Sequence, residues 1–217
     1  MHPINQNIAV APAPRATPSA ATTAPGETCG VPCAAWAAAG VYLPSFDADH
    51  HGHELTQKIR SSKASRSHDR EFADLLAAIL ATSLRGFSPA LVISVPHRPR
   101  EEDRFRHIRR LLASQTEAAD GEAALRQSRV VEGYRQMTAD QRRACCAGRF
   151  SARRCVRGKD VLLIDDVITS GAQAAEAIRA LRAAGAATVA FLAIARATRP
   201  PEALVGRGGP EAGSGVS

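Results

Sequence analysis

The stretch that most constrains this chain is Val161 to Gly171, VLLIDDVITSG. Its four leading apolar residues, Val161 to Ile164, read as a short buried strand. They run straight into two adjacent carboxylates, Asp165 and Asp166, and then into Thr169-Ser170-Gly171. A helical pattern follows in GAQAAEAIRALRAAGA, with Ile178 and Leu181 facing inward and Gly185 as the stop. TVAFLAIAR then reads as another strand. Strand, helix and strand within about 35 residues make a βαβ unit, and such a unit demands a parallel sheet.

The rest of the chain agrees with an α/β fold built on a central, mainly parallel sheet flanked by helices. PALVISVP is a short apolar strand stopped by Pro96, and RFRHIRRLLAS reads as a basic helix. HELTQKIRSSKASRSHDREFADLLAAILATSL supplies two helical stretches. In the second, Phe72, Leu75, Leu76, Ile79 and Leu80 recur on one face, and Ser67 with Arg70 and Glu71 marks its start. From Gly121 to about Lys159 the chain is polar and Arg-rich, with little strand pattern, and reads partly as a loop. Residues 1–26 and 198–217, rich in Ala, Pro, Thr and Gly, read as a disordered leader and tail.

Side-by-side aspartates repel, so a neutralising partner is expected. In open parallel sheets ligands bind beyond the carboxyl ends of the strands, where Asp165 and Asp166 lie. The turn after them leads into a helix N-terminus, whose unpaired N–H groups and dipole favour a phosphate. Thr169 and Ser170 add hydroxyl donors, and Gly171 permits close backbone approach. The carboxylates suit sugar hydroxyls or hydrated Mg²⁺. Together these features describe a site for a phosphorylated ribose. A helix cap alone would account for one aspartate, but poorly for two followed by Thr-Ser-Gly. A phospho-acceptor domain of the response-regulator type is excluded because too little chain follows Asp166.

With 28 basic and 21 acidic residues the net charge is +7, which favours anionic partners. Arg104, Arg106, Arg109 and Arg110 form one basic cluster. Arg142, Arg143, Arg149, Arg153, Arg154 and Arg157 form a second, with only Phe150 to stack on a base. Both read as a solvated face or phosphate-binding rim rather than a nucleic-acid surface. An odd number of cysteines, five, argues against a secreted disulfide framework. The absence of a long apolar run and of a signal-peptide pattern places the chain in the cytoplasm, with no membrane span.

The eleven-residue string resembles, position by position, the phosphoribosyl pyrophosphate (PRPP) motif of type I phosphoribosyltransferases, with Thr-Ser-Gly in place of the usual Thr-Thr-Gly. From about His53 to Arg196 the chain further resembles the ComF-like branch of that family. The likeness is carried by HELTQKIRSSK, by LVISVPHRPREEDRF, by Gln136, Arg142, Gly148 and Phe150 in QMTADQRRACCAGRF, and by LRAAGAATVAFLAIAR. It implies a phosphoribosyltransferase-like domain over residues 53–197. PRPP would be held by Asp165, Asp166, Val167, Ile168, Thr169, Ser170, Gly171 and Ala172, with Asp165 and Asp166 as the catalytic carboxylates and Mg²⁺ as cofactor. Pyrophosphate would meet Pro96, His97 and Arg98. The other substrate would be a nitrogenous acceptor that the sequence does not name, and such domains often pair as homodimers.

Family members often begin with a four-cysteine zinc ribbon. Here residues 27–52 keep only Cys29 and Cys33, followed by His50, His51 and His53, so the segment reads as a degenerate remnant or linker, with a mixed Cys/His Zn²⁺ site as the alternative. The family's Arg-Gly-Phe-Asn-Gln string is reduced to DRFRHI, which retains Phe105 alone of its last three residues. That departure, with the positive charge, supports an alternative function: a PRPP- or nucleotide-sensing protein without transferase activity, of the kind linked with DNA uptake.

Overall fold

A computed structural model of the chain describes residues 33–63, 65–96, 103–133 and 137–198. Their core is a five-stranded sheet, every pairing in it parallel. The strands are β1 (Ala35–Tyr42), β2 (Leu91–Ser94), β3 (Ala119–Asp120), β6 (Asp160–Ile168) and β7 (Thr188–Ala197), in the order β1-β7-β6-β2-β3. Between β3 and β6 the chain forms a separate antiparallel pair, β4 (Leu125–Gln127) with β5 (Phe150–Ala152). The helices are α1 (Glu54–Ser61), α2 (Asp69–Ser83), α3 (Arg106–Gln115), α4 (Ala139–Cys146) and α5 (Ala172–Ala183).

β6 is central, and Val161, Leu162, Leu163 and Ile164 are each fully buried. A continuous apolar run belongs in a strand covered on both faces. Alternate side chains feed two cores. Val161 and Leu163 join Leu91, Ile93 and Phe191 beneath α5, where Ala177, Ile178 and Leu181 pack. Leu162 and Ile164 join Val92 and Leu192 beneath α2 and α3, against Phe72, Leu76, Ile79, Ile108 and Leu112. Burying one such aliphatic side chain is worth about 1.5–3 kcal/mol. The layers therefore hold β6, and the acidic pair at its end, in a fixed register.

The expected strands and helices over residues 54–115 and 160–197 are present, with one adjustment. α2 starts at Asp69, one residue after His68, and no side chain caps it. α5 ends as expected at Gly185, whose φ of +92° suits glycine and whose N–H bonds to the carbonyl of Arg182.

Two segments carry more structure than their sequence suggests. Within residues 27–52, Ala35–Tyr42 forms β1, an edge strand paired along β7 from Ala35↔Ala190 to Tyr42↔Ala197. Within the polar stretch after Gly121, the β4–β5 pair and α4 are ordered. Thr138 and Gln141 form a reciprocal capping box at the start of α4. No helix among the described residues is long and apolar enough to cross a membrane.

Candidate functional site at the carboxyl edge of the sheet

The carboxyl ends of β2, β6 and β7 lie side by side, with Ser94 opposite Ile164 and Asp165 opposite Ala193. Asp165 follows directly on the buried apolar run and is itself only 8% exposed. Its Oδ1 accepts a hydrogen bond from the Asp166 backbone N–H at 2.9 Å, and Asp166 Oδ1 accepts one from the Val167 N–H at 2.7 Å. Burial, and then the adjacent Asp166 charge, push the Asp165 carboxyl well above the usual carboxylate range, against the opposing pull of the Asp166 N–H and of Arg104.

Arg104 is a neutralising partner of the acidic pair. Its Nη2 donates to Asp166 Oδ2 and closes an ion pair between the segment before α3 and the end of β6. Arg104 also lies over the ring of Phe105, with 5.6 Å to the ring centroid. The first basic cluster is thus largely ion-paired. Arg106 meets Glu122, Arg109 meets Asp103 and Asp120, and Arg110 meets Asp120 and Glu122. Arg106 and Arg110 make their pairs at the surface, and Arg109 makes its pairs inside.

Beyond the aspartates, Ile168 is 2% exposed and anchors the turn in the core beneath α5. Thr169 is exposed, and Gly171 adopts φ +72° as the residue preceding α5. That left-handed conformation explains why glycine stands there. The residues from Asp165 to Ala174 line a cleft of about 110 Å³. Ser170 Oγ contributes to it and is buried without a hydrogen-bond partner among the described residues. A buried hydroxyl without a partner is costly, and a ligand oxygen in the cleft would satisfy it. The first turn of α5 adds N–H groups that have no partner within the helix. The structure thus gathers Asp165, Asp166, Val167, Ile168, Thr169, Ser170, Gly171 and Ala172 around one cleft.

Val95 extends β2 with an N–H bond to the Ile164 carbonyl at 2.9 Å, which sets half-buried Pro96 beside the end of β6. His97 and Arg98 lie outside the described residues, as does Cys29. Cys33 is half-buried against the core beneath α5, and burial pushes its thiol up. His50 is engaged through Nδ1 with the Leu43 carbonyl and through Nε2 with Arg60, and His53 caps α1. Among the described residues no group of three or more His, Cys, Asp or Glu side chains is placed to hold a metal. For Mg²⁺ the adjacent carboxylates of Asp165 and Asp166 are a fitting donor set. That ion keeps several waters and takes one or two carboxylates together with substrate phosphates.

Three features of this edge were not among the sequence candidates: the Arg104–Asp166 pair, the buried Asp69 beside it, and Arg109. Arg109 is 1% exposed and donates to the Ser94 hydroxyl at 3.0 Å while pairing with Asp103 and Asp120.

No family model matches the sequence, and no curated protein matches it. Solved structures do. One is an allosteric regulatory enzyme of purine biosynthesis, 26% identical over 58% of this chain and 26% of its own, with a TM-score of 0.39. Another is the glutamine PRPP amidotransferase from B. subtilis complexed with ADP and GMP, 25% identical over 59% of this chain and 26% of its own, with a TM-score of 0.42. The matched part of this chain thus spans about a quarter of each of those enzymes.

Proposed function

We propose that this protein is phosphoribosyltransferase-like, binding PRPP with Mg²⁺ at the carboxyl edge of its sheet and transferring phosphoribose to a nitrogen nucleophile. The observation that carries this reading is the Asp165–Ala174 cleft. In it two carboxylates stand next to a left-handed glycine turn and an unpartnered buried hydroxyl at a helix N-terminus. Carboxylates accept hydrogen bonds from ribose hydroxyls. The turn and the first N–H groups of α5 donate to a phosphate. One cleft thus offers both halves of a sugar phosphate their complementary partners.

Asp165 and Asp166 would hold the ribose hydroxyls and the Mg²⁺ that PRPP brings, and Ser170, Thr169 and Gly171 would hold the phosphate. Mg²⁺, when bound, supplies charge neutralisation on the diphosphate. In the transfer, the bond from the anomeric carbon to the pyrophosphate oxygen breaks with its electron pair leaving on pyrophosphate. A C–N bond forms, and the nitrogen sheds a proton to solvent. A negative carboxylate near the ring favours the positive charge that develops there.

Titration calorimetry tests the binding half. The wild-type protein is expected to bind Mg²⁺–PRPP, and Asp166→Asn to weaken that binding by about tenfold or more, about 1.4 kcal/mol. A wild type that takes up no PRPP in the presence of Mg²⁺ sinks the reading.

One observation favours a second reading, a PRPP sensor without transferase activity. Arg104, in the segment that departs from the family pattern, pairs with the Asp166 carboxylate that the transferase reading assigns to the ribose. Pyrophosphate release with a panel of bases and amines separates the two: release supports the transferase, and PRPP binding without release supports the sensor.

A further inference from the structure

Asp166 also lines a second, smaller pocket of about 10 Å³, walled by Asp69 and Phe72 of α2 and by Arg104, Phe105 and Ile108 at the start of α3. Its centre has room for little more than one water-sized group. Asp69 is 3% exposed, and its Oδ2 has no hydrogen-bond partner among the described residues; neither has Arg104 Nε. Burial raises the Asp69 carboxyl, with His107, Arg66 and His68 pulling the other way.

A helix-capping role would place an acidic residue at the first turn of α2, where the dipole favours negative charge. It does not explain a carboxylate oxygen sealed from water and left unpaired, which costs about 1–3 kcal/mol. Such an oxygen is an acceptor waiting for a hydrogen donor. The space beside it is too small for a ring and large enough for one amino group, and it opens next to the aspartate read as holding the ribose. Resting on the transferase reading, we infer that this pocket seats the amino end of the nucleophile, a primary amine or ammonia, with Asp69 accepting its N–H. Asp69 is then a substrate-positioning residue at the acceptor side, and Phe72 and Phe105 set the size limit that excludes bulkier ends.

The test uses the full-length protein with Mg²⁺–PRPP, and ammonium and methylammonium chloride as probe nucleophiles. Pyrophosphate release is followed against amine concentration, with PRPP affinity measured separately by calorimetry. The wild type is expected to show amine-dependent release. In Asp69→Asn the half-saturating amine concentration should rise about tenfold, while PRPP affinity stays within about twofold. Asp69→Ser, which keeps a polar residue at the helix start, should behave alike if the asparagine variant melts early. A merely structural Asp69 would move both affinities together or neither. An unchanged half-saturation in both variants, or a wild type that binds PRPP but ignores both amines, overturns this inference alone. A wild type that binds no PRPP overturns it together with the transferase reading.

Discussion

Arg104 and Arg109 stand five positions apart in the chain, and each pairs with an aspartate, yet they do opposite things. The Arg109 side chain is 2% exposed and is pinned by Asp103, Asp120 and the Ser94 hydroxyl, which ties α3 to the ends of β2 and β3. The Arg104 side chain is 30% exposed and meets one carboxylate, Asp166, between two pockets. The first arrangement is the more closed: its Nε and Nη1 are taken by Asp120, Ser94 and Asp103, and Nη2 alone is buried without a hydrogen-bond partner among the described residues. The second is open, because the same carboxylate is the best candidate for a sugar hydroxyl or a metal. Ion-pair chemistry alone does not separate a strut from a latch. Burial and the number of partners do.

Breaking the strut should have the largest effect. Arg109→Met takes one guanidinium from Asp103 and one of two from Asp120; because both carboxylates keep some contact with solvent, the cost should be about 2 kcal/mol, below the figure for a fully buried pair. Urea unfolding should show it as a lowered midpoint with unchanged slope. A midpoint equal to wild type would mean that Arg109 is no strut. Asp120 reports on the same cluster: burial pushes its carboxyl up, but the guanidiniums of Arg109 and Arg110 outweigh this and hold it below the usual range.

Opening the latch should change binding more than stability. Arg104→Ala loses a partly exposed pair worth at most about 1 kcal/mol. It also frees Asp166 from a competing cation, so Mg²⁺–PRPP should bind about threefold tighter by calorimetry. Weaker binding would instead make Arg104 a ligand of the phosphates and erase the contrast with a simple competitor.

The smallest effect on stability is expected from Asp165→Asn, and it is a dependence on pH. Because Asp165 titrates above its unfolded value, folding takes up a proton between the ordinary carboxylate range and that raised value. Stability from this group therefore falls as pH rises through that window. The neutral asparagine removes the penalty, so the variant should gain in melting temperature over wild type as pH rises above the ordinary carboxylate range. A difference that does not change with pH would show that burial does not raise the Asp165 carboxyl.

What the sequence revealed and what it hid follow from the range of the interactions. The runs VLLID and TVAFLAIAR are apolar on both faces, and α2 repeats its apolar residues at helical spacing. Local pattern therefore found the sheet centre, its helices and the acidic pair at its edge. β1 escaped because AWAAAGVY is built of small residues with no alternation, and its only ladder partner, β7, lies at the far end of the domain. α4 was legible in principle, since Thr138 and Gln141 have the spacing of a capping box, but the surrounding arginines masked it. The partner of Asp166 was not legible at all. Arg104 is 62 residues away, and only the crossing of α3 onto the edge of β6 brings it there. Asp69 was hidden in the same way, as an ordinary acidic residue in a polar helix start.

The pairing of β1 with β7 also sets an order in time. Emerging from the ribosome, β1 has no ladder to join until β7 has followed. Until then its alanine-rich backbone is an unpaired strand beside growing hydrophobic surface. Closing a contact of such long sequence separation is slow and exposes the chain to wrong pairings. The other four strands pair with one another without β1, so the edge that completes the sheet is expected to dock late, leaving an alanine-rich strand that a chaperone could hold meanwhile.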